Sequence, residues 1–388
     1  MRILLCGGSH ADIPQIDALG RLGHWVATTG KYAHELGHLY SEAYFPADFS
    51  DPYAIAKIIE DNAIDAVIPC CNDFSYLTCA KIAPLLKQSG FDSLETAHKI
   101  HDKDAFRELC TSLGITTPRV LATWPSTKGL PGSFDVDAIV KPVDLSGGKG
   151  MTRLAAGDEI GNTVNYAIQQ SKAKRVVIEE FVNGSNHGLS TIIISGKVCF
   201  SFVDNEHYFR NPFLVSGASS PGTVRSEVTA GLIADIEKLA HHLKLVDGLI
   251  HCQFIQTNTG YRLLEICRRP PGDLYTRFVE LATGIPYPAI LVRLYLGERL
   301  TTNEIKIESK PRHVTRHCAM AKRTGRYIGL SIDQKLGEHV IESLSVLKPG
   351  DDITDANVQK AAIVFIDNQE NLSVSGEDLH AYIRVLVK

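Results

Sequence analysis

Three short stretches of the chain carry side chains whose types and spacing can do chemistry. In the first, Lys141 ends the apolar run Ala138 to Lys141 and is followed within nine residues by Ser146, Gly147, Gly148 and Gly150. An ammonium group beside a loop lacking Cβ atoms suits a phosphate clamp, because the lysine meets the anionic charge while backbone N–H groups approach closely. The G-x-x-x-x-G-K-[ST] order of a P-loop is absent, so a clamp here needs a different nucleotide fold. A flexible hairpin with a surface lysine is the alternative.

The second stretch runs Val176-Val177-Ile178-Glu179-Glu180-Phe181-Val182, a strand leading into two carboxylates and then an apolar residue. Such a hinge could give an adenine ring an acceptor, a backbone donor and apolar walls; it could equally be a solvated strand end. The third pairs Gln253 on one strand with Glu265, Cys267 and Arg269 on the next. Alternation puts those last three on one face, and hairpin pairing brings Gln253 beside Glu265. One oxygen ligand from each strand, completed by phosphate oxygens, suits magnesium. A structural ion pair between carboxylate and arginine is the competing reading.

The surrounding pattern supplies elements to hold these groups. Up to residue 98, apolar runs Arg2 to Cys6, Trp25 to Thr28 and Ala66 to Pro69 alternate with amphipathic stretches, the grammar of an open parallel sheet flanked by helices. Such sheets bind ligands at the carboxyl ends of their strands, where Gly7 to His10 and Cys70 to Asp73 fall. Gly7-Gly8 does not open a dinucleotide fingerprint, since the fourth position after Gly7 is Ala11. From residue 99 the pattern changes. Asp102 can cap a helix that Gly114 ends, β-branched runs at 175–178, 190–194 and 197–202 read as antiparallel strands, a helix follows over 229–243, and strands 249–257 and 261–267 flank a turn at Asn258-Thr259-Gly260. The fold class expected is α/β and α+β: an amino-terminal doubly wound sheet over 1–98, an antiparallel-sheet domain over 99–305 with a lid at about 118–185, and a small α+β region over 306–388.

Composition narrows the function. Forty basic and 44 acidic side chains leave a net charge of -4 with no block of one sign, which argues against a nucleic-acid surface. No apolar run approaches the ~20 residues of a membrane span. The nine cysteines include no C-x-x-C pair and read as reduced, mostly buried thiols of a cytoplasmic protein.

In this order the three stretches resemble the ATP-grasp superfamily over about residues 1 to 300, and most closely the biotin-carboxylase and carbamoyl-phosphate-synthetase branch of its carboxylate-activating ligases. The resemblance implies ATP with magnesium, or manganese in its place, and small carboxylate and amine substrates. It assigns Lys103 and Lys141 to the ATP phosphates and Ser146, Gly147, Gly148 and Gly150 to a loop closing over them. Glu179 would accept from the adenine amino group, Glu180 and Val182 would meet the ring through their backbone, and His187 would lie near the ribose. Glu265 would be the principal metal ligand with Gln253 beside it. Cys267, where the family has Asn, is too soft for magnesium, so one well-held metal is expected.

Arg269, with Lys141, is assigned to catalysis at the acyl-phosphate site, where a planar fork of donors suits carboxylate and phosphate oxygens. The segment from His207 to Phe213 offers His207, Tyr208 and Arg210 to the substrate, joined by Asp273. The activity implied is ATP-dependent amide formation through an acyl phosphate. Bicarbonate or a ribosylamine as substrate, or a catalytically weak ATP-binding regulatory subunit, are the other readings. A homodimer is the commonest assembly by base rate.

Overall fold

The computed structural model describes residues 1–125, 129–145, 147–307, 310–368, 376 and 378–388. At the amino terminus, β1 (Arg2–Cys6), β2 (Trp25–Gly30), β3 (Ala43–Pro46) and β4 (Ala66–Pro69) form a parallel sheet in the order β3-β2-β1-β4. β1 and β4 are buried along nearly their whole length, as parallel strands covered on both faces must be. The helices are α1 (Ile13–Arg21), α2 (Pro52–Asn62), α3 (Asp73–Ile82), α4 (Leu94–His101) and α5 (Lys103–Ser112). The Asn72 side chain caps α3 by accepting from the Phe74 N–H, so Asp73 sits at a strand's carboxyl end on the first turn of a helix.

A lid sheet follows, built from β5 (Val120–Trp124), β6 (Ala138–Pro142), β7 (Thr152–Leu154) and β8 (Val176–Glu180) in the order β5-β8-β6-β7, with α6 (Gly161–Gln170) against it. The central sheet begins with β9 (Ser185–Ile194), β10 (Lys197–Tyr208) and β11 (Val215–Ser220). After α7 (Ser226–Leu243) it continues with β12 (Gly248–Thr257) and β13 (Gly260–Cys267), and α8 (Tyr275–Thr283) and α9 (Tyr287–Tyr295) follow.

The last third of the chain adds β14 (Val314–Met320), β15 (Gly325–Ile332), β16 (Val340–Ser345), β17 (Asp352–Ile353), β18 (Lys360–Asp367) and β19 (Ile383–Val387). Of these, β14, β16 and β18 extend the central sheet, whose eight strands run β13-β12-β9-β10-β11-β14-β18-β16; β15, β17 and β19 form a separate three-stranded sheet. The carboxy-terminal segment is thus hydrogen-bonded into the central layer through β11 and β14.

One face of the central sheet packs on α7. Val228, Leu232, Ile236 and Leu239 meet Leu189, Ile193, Ile250, Cys252 and Phe254 there. Period-two alternation then commits Asn186, Gly188, Gln253, Asp204 and Glu206 to the opposite face, which looks toward the lid. No helix among the described residues is long and apolar enough to cross a membrane.

Candidate functional site

Between lid and central sheet lies a cavity of about 790 Å³ lined by both, by the end of β4 and by β14. That volume is in the usual range for small-molecule sites. One wall is cationic. Lys141, at the end of β6, is buried and donates to Glu179 Oε2 at 2.7 Å; Arg107 on α5 donates to Glu179 Oε1 at 2.6 Å. Burial alone would raise the Glu179 carboxyl, but Lys141 and Arg107 outweigh it and hold the group at about 2. Burial pushes the Lys141 ammonium down from its usual value, an effect Glu179 only partly offsets. Two buried cations share one carboxylate, and Lys103 adds a third positive charge nearby: its Nζ donates to the Leu145 carbonyl at 2.5 Å and lies 3.8 Å from Glu265 Oε2. The excess is positive, as an anion site requires.

The glycine loop closes this wall. Gly148 takes the left-handed backbone (φ 72°), and a Cβ there would meet the Phe213 carbonyl oxygen at 2.6 Å, so only glycine lets the loop pack this closely on the segment after β10. Gly147 also lines the cavity, while Ser146 lies outside the described residues.

The two residues expected as metal ligands come together. Gln253 and Glu265 are partners across β12 and β13, and both line the cavity. The Gln253 amide donates to Glu206 Oε1 at 2.5 Å, which leaves its carbonyl oxygen as the acceptor. Cys267 shares the cavity, but burial raises its thiol to about 12 and its Sγ–H donates to the Arg269 carbonyl at 3.4 Å. Among the described residues no cluster of three or more His, Cys, Asp or Glu is arranged to hold a metal. One carboxylate and one carbonyl fit a hard cation that completes its shell with phosphate oxygens and water.

Arg269 reaches the cavity from beyond β13 and is held from the amino-terminal domain: its Nε donates to Asp73 Oδ1 at 2.8 Å, and His101 Nδ1 lies 3.1 Å from the same oxygen. Burial would raise Asp73, yet Arg269 and His101 keep its carboxyl far below the usual range. Asp273 lines the far end with positive φ at itself (55°) and at Leu274 (58°), a costly backbone for both residues. Two cations and a histidine surround its carboxylate: Lys360 by a direct ion pair, Arg316 at 3.8 Å and His10 Nε2 at 3.5 Å.

Four expected positions are corrected. Glu179 is wholly buried with both oxygens taken by Lys141 and Arg107, so it braces the cationic wall and lies outside the cavity lining; Glu180, Phe181 and Val182 line the cavity in its place. The Glu180 N–H already donates to the Arg119 carbonyl at 2.9 Å, so its carbonyl is what it can offer a ligand. His187 falls on the α7 side of β9, stacked on Phe254 with its Nε2 2.7 Å from Ser185 Oγ; its neighbour Asn186 faces the cavity. His207 likewise turns from the cavity, Nε2 lying 2.9 Å from Ser219 Oγ, and burial lowers it to about 4. Arg210 is exposed and outside the lining. Tyr208 lines the cavity as expected, its hydroxyl donating to Glu206 at 2.7 Å.

Several lining or supporting residues, Arg107 among them, had no sequence signal that singled them out. Asp204 and Glu206 lie on the part of β10 beyond Phe202, where polar residues break the apolar run. Arg316 comes from β14, buried, donating to the Asp273 carbonyl at 3.0 Å and leaving Nε without a partner among the described residues. Asp73 was marked only as a strand-end residue; its pairing with Arg269 spans 196 positions.

No family model matches the chain. Over 259 residues it is 25% identical to the carbamoyl phosphate synthase large chain of Clostridium botulinum (strain Kyoto / Type A2), covering 63% of this chain and 23% of that one. The chain therefore spans under a quarter of the length of the curated relatives it matches. The solved structure of an L-amino acid ligase from Bacillus licheniformis is similar with a TM-score of 0.82 at 16% identity, covering 100% of this chain and 98% of that chain. The biotin carboxylase domain dimer of the Hydrogenobacter thermophilus 2-oxoglutarate carboxylase, in complex with MgADP, ADP and bicarbonate, is similar with a TM-score of 0.74 at 14% identity, covering 94% of this chain and 85% of that chain. At these identities the likeness is one of fold.

Proposed function

We propose that this chain, whose fold is that of the ATP-grasp carboxylate-amine ligases, is an enzyme that activates a carboxylate with ATP and joins it to an amine, releasing ADP and phosphate. The observation that carries this reading is one cavity holding a cationic wall, a glycine loop, an oxygen-ligand pair and a separately braced arginine. A carboxylate acylates poorly at neutral pH, and conversion to an acyl phosphate supplies a leaving group that an amine can displace. Most of the protein's work is then positioning and charge neutralisation.

In this reading Lys103 and Lys141 bind the phosphates, with Gly147, Gly148 and Gly150 excluding water above them. Glu180 and Val182 offer backbone groups to the adenine edge, and the apolar walls near Ile139 and Met151 receive its faces. Glu265 and Gln253 would hold magnesium, which when bound neutralises phosphate charge. Arg269, kept in one orientation by Asp73, faces the oxygens of the transferred group. Arg316, with a free Nε, neutralises the substrate carboxylate from the other side.

Bicarbonate as the acid is the second reading, favoured by the bicarbonate in the similar biotin carboxylase domain structure. ADP release measured with Mg·ATP and a panel of carboxylates, each with and without an amine, separates the two. Carboxylate-dependent ADP release that is lost in Glu265→Gln supports the ligase; turnover that needs bicarbonate alone supports the alternative. AMP and pyrophosphate as products refute both.

A further inference from the structure

The cavity floor holds two carboxylates that binding of ATP and magnesium leaves without a role. Asp204 and Glu206 lie on one face of β10, and both line the cavity. Asp204 pairs across the sheet with Gly188, which in turn pairs with Gln253. Gly188 has no side chain to intervene, and Asp204 leans over it so closely that a Cβ there would sit 2.8 Å from Asp204 Oδ2. The acidic pair thus adjoins the metal ligands, although strand spacing puts the β10 backbone about 10 Å from that of β12.

Neither carboxylate has an ion-pair partner among the described residues. Glu206 accepts from the Gln253 amide and the Tyr208 hydroxyl, both neutral donors. Asp204 is fully buried; Oδ2 accepts from the Tyr275 hydroxyl, while Oδ1, packed against Gly188, has no side-chain donor among the described residues. Arg269 is engaged on Asp73, Lys141 on Glu179 and Lys103 beside Glu265, while Arg316, which donates to the Asp273 carbonyl, lends Asp204 and Glu206 a positive charge from beyond ion-pair distance. A buried carboxylate oxygen without a donor is costly, and a ligand that brings one removes the cost.

We propose that Asp204 and Glu206 form a subsite for an organic ammonium group carried by the substrate whose carboxylate is activated, so that this substrate is an amino acid and not a simple acid. The inference rests on the ligase reading above. An ammonium brings three donors and a positive charge, which answers the open Asp204 oxygen and a Glu206 carboxylate held only by neutral donors together. The amine that attacks an acyl phosphate must first lose its proton, and two flanking carboxylates hold that proton in place. The group bound here is therefore a spectator on the activated molecule.

The test supplies the nucleophile separately. Wild-type protein is given Mg·ATP, hydroxylamine and one of three equimolar pools: proteinogenic amino acids, their N-acetyl derivatives, or the corresponding des-amino acids. Hydroxamate and ADP are measured. The expected result is hydroxamate from the free amino acids at roughly tenfold or more over the other pools, the discrimination of one charged hydrogen bond. In Asp204→Asn and Glu206→Gln the concentration of the best amino acid giving half-maximal rate rises by a similar factor, while thermal stabilisation by Mg·ATP persists. If Asp204→Asn does not fold, Glu206→Gln, at a partly exposed position, carries the test. N-acetyl or des-amino acids serving equally well in the wild type overturn the ammonium subsite and leave the ligase reading standing. Both folded variants keeping the full preference do the same. Neither hydroxamate nor ADP from any pool overturns the ligase reading and the subsite with it.

Discussion

Replacing Glu179 with Gln removes the single anion between two buried cations. Lys141 lies 2.7 Å and Arg107 2.6 Å from its oxygens, and their side chains are only 8% and 3% exposed. Breaking a buried pair by deleting one partner costs about 3–5 kcal/mol, because the charge left behind has neither solvent nor counterion. The pH dependence gives an independent figure. The Glu179 carboxyl is held at about 2 against an ordinary 4.5, so its contribution is complete above pH 4.5 and is lost as pH falls from there toward 2. A depression of that size corresponds to about 3 kcal/mol.

Urea denaturation of Glu179→Gln at pH 7 is expected to show a midpoint lowered by about 1 M or more, taking a slope of about 3 kcal/mol/M. The acid limb between pH 4.5 and 2 should flatten in the variant. Mg·ATP should restore part of the loss, since its phosphates bring negative charge to Lys141. A midpoint within about 0.3 M of wild type, or an unchanged acid limb, refutes the assignment of Glu179 as the brace of the phosphate wall.

Asp73→Asn leaves Arg269 without its charged anchor; turnover should fall by about tenfold to a hundredfold while calorimetric affinity for Mg·ATP stays within about threefold, and an equal loss in both would contradict a purely positioning role. Burial holds His251 and His317 at about 3, well under the ordinary 6.5. The unfolded chain therefore takes up their protons first, and each histidine should remove about 1.4 kcal/mol of stability per pH unit as pH drops from 6.5 toward 3. Thermal unfolding scans across that range check this, and a flat melting temperature from pH 6.5 to 5 would contradict it.

The readable parts of the molecule were those where local pattern and pairing agree. Alternation and the turn at Asn258-Thr259 fix the β12/β13 register, and with it the Gln253–Glu265 pair, because a one-residue slip would expose Phe254 and Leu263. The resemblance alone carried His187 to the ligand side; β9 starts at Ser185, five residues before its apolar run, and alternation along that longer strand gives the cavity face to Asn186. β10 was cut short for a related reason. The apolar run ends at Phe202, yet Asp204, Asn205 and Glu206 continue the sheet, the buried Asp204 carboxylate finding the Tyr275 hydroxyl far along the chain. Arg316 and Asp73 could not be placed from local spacing, since each acts through a partner that only the tertiary fold brings near.

Phosphorus NMR of a reaction containing the protein, Mg·ATP and the amino-acid pool tests the central claim most directly. ADP and inorganic phosphate should accumulate together, only when a carboxylate is present, and not in Glu265→Gln. AMP with pyrophosphate, or ADP formed at the same rate without any carboxylate, would contradict the account.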